Sequence, residues 1–561
     1  MTTMTSRPLR SNVAEGTVRW ATRRALWRAL GLTDADMEKP KIAVVNSSSD
    51  LAICYSHLDG IAARMKTAIR AAGAVAFEIR TSAPSDFVTV AGHKGGYILS
   101  ARDLITNDIE AQVEGAMLDG MVCLASCDKT PPGQLMAAGR LNIPTLMMCC
   151  GYQPSGQYGG HHCDIEDVFA ASGGLAFGKI SIDEIRAMGD VAILGPGVCA
   201  GMGTANTMHV ACEALGMALP GSTPVLANSP PMWDVVERVG ARIVQMVRDD
   251  LKPRDILTAD AFANAVMVML CISGSINSAK HLTAIAREAG CDVDVYGLYE
   301  KYADVIPLLA AVRPNGETST EEFEAAGGAR AVMKQLERFL NTDVMTVTGT
   351  TLRENLAGYR VADEEVIRPV ERALGHHPTI VMVRGSLAPA RGIVKLSVTE
   401  RRNLRLRGPA VVYESAQDAI DGITRGDPKE GDVIVLRGLG PKGTPGMGMA
   451  SAVVFAVLGA GLAGKVAVVT DGQLSGLTNV GITLGEVQPE AADGGPIGLV
   501  EAGDIIAIDV EKRTADLEVA DDVLAARRQR LRVWNGEPEH GWLAMYRRLV
   551  RPLSEGAVLE R

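Results

Sequence analysis

The stretch Ser126-Cys127-Asp128-Lys129-Thr130-Pro131-Pro132-Gly133 sets a thiol, a carboxylate and an amine on three successive residues. Two prolines follow where a helix would begin. Proline is tolerated there because the N–H it lacks would have no partner inside the helix. The apolar spacing of Gln134-Leu135-Met136-Ala137-Ala138 carries the helix onward. A helix N-terminus favours anions, so Cys127 is expected to ionise easily and Asp128 to remain charged. Sulfur suits iron or zinc, whereas carboxylate oxygen suits magnesium. One turn thus offers ligands to two kinds of metal. The plainer alternative is a helix cap beside a buried cysteine.

Ten cysteines occur in the chain, and three stand apart by their settings. Cys54 closes Asn46-Ser47-Ser48-Ser49-Asp50-Leu51-Ala52-Ile53-Cys54, just after an apolar run. Cys127 follows the run beginning at Gly120. Cys199 lies in Gly195-Pro196-Gly197-Val198-Cys199-Ala200-Gly201-Met202-Gly203. Ligands of open parallel sheets gather beyond the carboxyl ends of the strands, so turns at three strand ends can bring three thiols together. Wide spacing leaves that convergence open, since free cysteines are commonly buried apolar residues. Cys123, Cys149, Cys150, Cys212, Cys271 and Cys291 fit that second description. Cys149 and Cys150 with Cys163 form a weaker alternative metal set.

The elements that must position these residues are legible as short apolar runs ending in polar or glycine-rich turns. Lys41 to Asn46, Gly120 to Leu124 and Asp190 to Gly195 read as strands; His57 to Ala72 and Thr204 to Ala218 have helical spacing. Near-continuous apolar strands alternating with helices predict an α/β/α domain whose mainly parallel sheet is covered on both faces. After about residue 375 the texture changes. Ile380 to Val383, Gly392 to Leu396, Ala410 to Tyr413, Asp432 to Leu436, Lys465 to Thr470 and Ile505 to Asp509 are short β-rich pieces between glycine turns, which predicts a barrel-like second domain. The expected domains are residues 1–375, with the cysteines and the Cys127-Asp128-Lys129 turn, and 376–561, with His376-His377-Pro378 at the boundary.

Composition limits the alternatives. A chain of 561 residues exceeds what one core usually supports. Hydrophobic residues make up 47%, enough for large cores, while the net charge of −10 comes without any basic stripe, so nucleic acid is not an expected partner. No apolar run is long enough to span a bilayer, and Met1 to Asn12 lacks the apolar core of a signal peptide. Cysteines this sparse do not form a disulfide framework. A cytoplasmic enzyme acting on a small molecule is the expected class.

Several motifs go further. Cys127-Asp128-Lys129, Gly197 to Met208, Gly385-Ser386-Leu387-Ala388-Pro389, Gly440 to Met447, Thr470-Asp471-Gly472-Gln473-Leu474-Ser475-Gly476 and Pro489 to Gly495 occur in that order. Together they resemble the dihydroxy-acid and sugar-acid dehydratase family over roughly residues 40 to 510. The resemblance implies a [2Fe–2S] cluster on Cys54, Cys127 and Cys199. It implies Mg²⁺ on Asp86 (shifted by one residue against Gly92-His93), Asp128 and a carboxylated Lys129. It also implies Ser475 as the catalytic base, a homodimer or homotetramer, and a site between the domains. Carboxylation would convert the Lys129 amine into a hard anionic oxygen ligand.

The chain also departs from the family. Met449 occupies the place of a glutamate that binds Mg²⁺, and a thioether is a poor ligand for a hard cation. Glu486, where relatives often carry histidine, is the expected substitute. Gln473-Leu474 replaces an arginine and its neighbour, and Asp50 replaces a glutamate. Gln473 and Thr204 are candidate substrate contacts. The C-terminal Gly541-Trp542-Leu543-Ala544-Met545-Tyr546 resembles the sugar-acid branch, placing sugar acids ahead of branched-chain dihydroxy acids as the expected substrate. Two other readings remain: a nicotinamide-dependent oxidoreductase built on the Gly195 to Gly203 turn, and a family member that binds a ligand without catalysis.

Overall fold

The structure is a computed structural model that describes residues 8–396, 398, 404–475, 481–531 and 540–560. Gly476, within the serine motif, lies outside the described residues. In the N-terminal half, strands β1 (Lys41–Asn46), β2 (Val75–Arg80), β3 (Gly120–Ala125) and β4 (Thr145–Cys149) form one sheet. Their order is β2-β1-β3-β4 and every pairing is parallel. Strands β1, β3 and β4 are buried along their whole length, which is why they read as continuous apolar runs rather than alternating ones. Helices such as Leu58–Ala71, Gly96–Ala116, Thr130–Leu141 and Pro230–Asp249 pack around this sheet. A short antiparallel hairpin, β5 (Gly156–Tyr158) and β6 (His161–Cys163), follows β4.

The C-terminal half holds eight strands: β7 (Ile380–Val383), β8 (Arg391–Lys395), β9 (Arg405–Tyr413), β10 (Val433–Leu436), β11 (Ala467–Thr470), β12 (Ile482–Gln488), β13 (Ile505–Asp509) and β14 (Thr514–Leu517). They run in the order β14-β13-β9-β10-β11-β12-β8-β7. The four central strands pair in parallel, and the flanking pairs are antiparallel. The two edges meet. Arg384 bridges Thr514, with Arg384 N–H donating to Arg513 O at 3.0 Å and Ala515 N–H donating to Arg384 O at 2.8 Å. Closure hides the unpaired edge groups that an open sheet would present. The barrel has its own core of Val381, Val383, Val433, Val435, Val469, Leu484 and Ile506.

The expected strand at Asp190 to Gly195 is corrected by the structure. A helix spans Ile182–Ala192, opened by a capping box in which Ser181 and Glu184 satisfy each other's backbone N–H groups. With its first turn satisfied, the helix continues through Asp190-Val191-Ala192, and Leu194 is left exposed. Cys199 therefore follows no full strand. It follows a parallel bridge between Tyr152 and Val198, which prolongs the sheet beyond β4. Strands β12 and β14 were not anticipated. Thr514–Leu517 is short and mixed in polarity, and β12 is broken by Gly485 and Glu486.

Two buried carboxylates organise the loops at one end of the barrel. Asp471, just past β11, accepts the N–H groups of Gly438 (3.1 Å), Leu439 (2.9 Å) and Ala491 (2.9 Å). Glu490, just past β12, accepts those of Lys442 (2.9 Å) and Gly443 (2.8 Å). The loop Gly438 to Met449 is thereby held to the barrel, and it packs against the N-terminal half. A Cβ at Gly446, whose φ is +81°, would stand 1.7 Å from the Gly96 carbonyl oxygen, so only glycine permits this approach. Met449 N–H then donates to Lys94 O at 3.2 Å.

Candidate active site

A cavity of about 320 Å³ opens where these loops face the N-terminal sheet. From the N-terminal half it is lined by Asp86, Cys127, Asp128, Cys199 and Thr204 among others, and from the barrel by Met449, Ser451 and Ser475. Residues distant in the chain are thus brought to one space.

The Cys127 turn is built as its sequence suggests. Lys129 caps the helix Thr130–Leu141, with prolines in its first turn. Thr130 Oγ1 accepts the Ser126 N–H at 2.8 Å and donates to Cys127 O at 2.9 Å. A Cβ on Gly133 would stand 2.7 Å from Arg102 O, so the helix sits tightly on Gly96–Ala116. Cys54 lies behind Cys127 and shares a thiol hydrogen bond with it, while the Ser126 hydroxyl donates to Cys54 O. The Cys199 turn is held by Asn206, whose amide donates to Cys199 O at 2.9 Å and to Gly201 O at 2.8 Å.

The expectation that Cys127 ionises easily is corrected. The hydrogen bond with Cys54, burial, and the nearby Asp128 and Asp86 charges push its thiol well above the ordinary range. Cys199 is raised as well, first by burial and then by Glu166 and Asp128. A cation bound among these thiols would reverse the balance, since metal binding requires the thiolate and releases the proton.

The hard ligands lie beside the soft ones. Lys129 is fully buried, its Nζ 3.2 Å from Asp86 Oδ2 and 3.6 Å from Asp128 Oδ2. Burial and the Asp128 charge push the Asp86 carboxyl up to about 8. Burial opposes the charge on Lys129, but Asp86 and Asp128 prevail and hold it above its usual value. Asp86 Oδ1 is buried without a hydrogen-bond partner. A donor set of thiols and carboxylates around one space, with an unsatisfied carboxylate oxygen, fits an iron–sulfur group beside a hard divalent cation.

The other expected residues are distributed differently. Thr204 lines the cavity and accepts from Asn277 Nδ2 at 2.8 Å. The same amide donates to Leu474 O at 3.2 Å, tying the cavity wall to the serine turn. The Ser475 N–H donates to Ser451 Oγ at 2.7 Å. Gln473 is fully buried and gives its amide to Met447 O at 3.1 Å rather than lining the cavity. Glu486 does not line it either. It sits at a register shift in β12 with φ +54°, and its carboxylate meets Lys280 Nζ at 2.5 Å with both side chains fully buried. A bulge re-aims a side chain in this way. Glu486→Gln is expected to lower stability by about 3 kcal/mol in chemical denaturation, because it leaves a buried lysine without its counter-charge.

Cys149, Cys150 and Cys163 do not gather. Cys163 contacts Met188 O, whereas Cys149 contacts His209 O, and they belong to separate cores. Among the described residues, the His, Cys, Asp and Glu ligand atoms that lie mutually within 4.8 Å in a group of three or more are those of His162, Asp164 and Asp167. Glu166, Ser451, Phe87 and Phe169 line the cavity without having been singled out from the sequence. Nothing local separates Glu166 from its capping neighbours Asp164 and Asp167.

The cavity lies between an α/β/α layer and a β-barrel-like sheet, the setting of an α/β enzyme with a candidate active site between two layers. Comparison with known proteins specifies which. The dihydroxy-acid/6-phosphogluconate dehydratase N-terminal model matches residues 39–355, and its C-terminal counterpart matches 365–557. The chain belongs to this family of dehydratases. It is 40% identical over 555 residues to the dihydroxy-acid dehydratase of Caldicellulosiruptor saccharolyticus, covering 98% of this chain and all of that protein. The dihydroxy-acid dehydratase of Methanococcoides burtonii is 40% identical over 554 residues, covering 98% and 99%. Family membership displaces the nicotinamide-dependent reading. No helix of the described residues is long and apolar enough to cross a membrane.

Proposed function

We propose that this chain dehydrates a 2,3-dihydroxy carboxylic acid to a 2-keto acid. The observation that carries the reading is the meeting of Cys127, Asp128, Asp86, Cys199 and Ser475 on one cavity. Cys54, Cys127 and Cys199 would hold a [2Fe–2S] cluster, and Asp86, Asp128 and a carboxylated Lys129 would hold Mg²⁺. When bound, the two supply a Lewis acid for the departing 3-hydroxyl and a hard charge for the substrate carboxylate and 2-oxygen.

The chain's own residues supply the rest. Ser475 takes the C2 proton as general base. The C–H electron pair becomes the C2=C3 double bond as the C3–O bond breaks, and the departing hydroxide takes the proton that Ser475 removed, leaving as water and returning Ser475 to its basic form. The enol then tautomerises to the 2-keto acid. Phe87, Val90, Phe169 and Met449 give the cavity apolar walls, which exclude water and strengthen the electrostatic interactions inside. Residues 1–375 would carry the metal ligands and 376–561 the base, in a cytoplasmic homodimer or homotetramer. The test is 2-keto acid formation by anaerobically purified, cluster-loaded protein with Mg²⁺, offered branched dihydroxy acids and C4 to C6 sugar acids. Turnover is the expected result. Silence with an intact cluster would instead favour a family member that binds without catalysis.

A further inference from the structure

One group in the cavity has no part in the chemistry above. Glu166 lies in the first turn of the helix Ile165–Ser172, 6% exposed, and its Oε2 has no hydrogen-bond partner. Its backbone is fixed, because the Asp164 carboxylate accepts the Glu166 N–H at 2.7 Å and the Asp167 N–H at 3.2 Å. The nearby cation is already taken: Arg313 binds both oxygens of Asp167, at 2.8 and 3.1 Å. The Glu166 carboxyl rests on the Cys199 turn, where glycines make room for it. A Cβ at Gly201 would stand 2.2 Å from Oε2, and one at Gly203 would stand 3.1 Å from Oε1. Both glycines line the cavity, as do Ile165 and Phe169 on either side of Glu166 in the same helix.

A buried carboxyl without a partner costs free energy until something in the cavity satisfies it. The reaction already claims the substrate's carboxylate and its 2- and 3-oxygens. Resting on the proposed dehydratase reading, we infer that Glu166 is a specificity-determining residue that hydrogen-bonds a hydroxyl of the substrate outside the reacting pair. The substrate class is then an acid with at least three hydroxyls. Its C–H faces would lie against Phe87 and Phe169, whose rings meet edge-on at 5.3 Å. A carboxyl oxygen without a partner accepts a hydrogen bond from such a hydroxyl.

The test compares two acids of equal chain length, a 2,3-dihydroxy acid and its 2,3,4-trihydroxy counterpart. Cluster- and Mg²⁺-loaded wild type, Glu166→Leu and Glu166→Gln are measured by calorimetric binding and by kcat/KM. Wild type is expected to favour the trihydroxy acid by about 100-fold or more, as sites built around a substrate hydroxyl reject analogues lacking it. Glu166→Leu should abolish that preference. Glu166→Gln, which keeps an acceptor, should retain most of it. Equal binding of the two acids by wild type, or an unchanged preference in Glu166→Leu, would overturn the assignment. A binding preference with no 2-keto acid from either substrate would sink the dehydratase reading and leave the role of Glu166 standing.

Discussion

Ser475→Ala is expected to lower kcat by about 10³-fold, within the range contributed by a positioned general base. KM and cluster content should change little. The turn is anchored through its backbone, with the Ser475 N–H held by Ser451 Oγ at 2.7 Å and the preceding carbonyl by Asn277 at 3.2 Å, and both anchors remain in the alanine variant. Steady-state kinetics, with circular dichroism and iron content as controls, read the result. A variant that retains wild-type kcat would remove Ser475 from the mechanism. A fall confined to KM would make it a binding residue instead.

Cys127→Ser is the second substitution with a large expected effect. Cys127 is buried against Cys54, on a turn locked by Thr130 and by the close approach of Gly133 to the helix Gly96–Ala116. Serine fits the space, so the fold should survive. Its hydroxyl is a hard ligand whose proton is far harder to remove than that of a thiol, and iron in such clusters is held by thiolates. Bound iron and acid-labile sulfide should fall to background, with turnover lowered by more than about 10²-fold, the upper range seen when groups merely supporting a ligand are lost. Iron analysis reads the outcome independently of activity. Full retention of iron would count against Cys127 as a ligand.

Much of this arrangement was legible before the structure, for definite reasons. Parallel strands buried on both faces leave continuous apolar runs, so Lys41–Asn46 and Gly120–Ala125 were recognisable. The serine turn is similarly local, since it follows an apolar strand directly. Asp190 to Gly195 misled because its apolar content matches a strand, whereas the capping box at Ser181 starts a helix that runs through its first half. Cys127 misled in another way. The helix terminus and the adjacent Asp128 are visible in sequence, but the hydrogen bond with Cys54 and the Asp86 carboxylate, which raise the thiol further, come from elsewhere in the chain.

The sequence alone determined which chemical groups are available and on which turns: thiols at 54, 127 and 199, a carboxylate and an amine beside the second, and a serine after a barrel strand. Those facts are local, because cap residues, prolines and apolar periodicity act over a few positions. The tertiary structure decided which carboxylate each part of the cavity receives. Glu486 is turned by a bulge onto Lys280, Gln473 is buried against the Met447 carbonyl, and Glu166 enters the space that Gly201 and Gly203 leave open. A side chain's direction depends on what packs against it, and here the packing partners lie tens to hundreds of residues away.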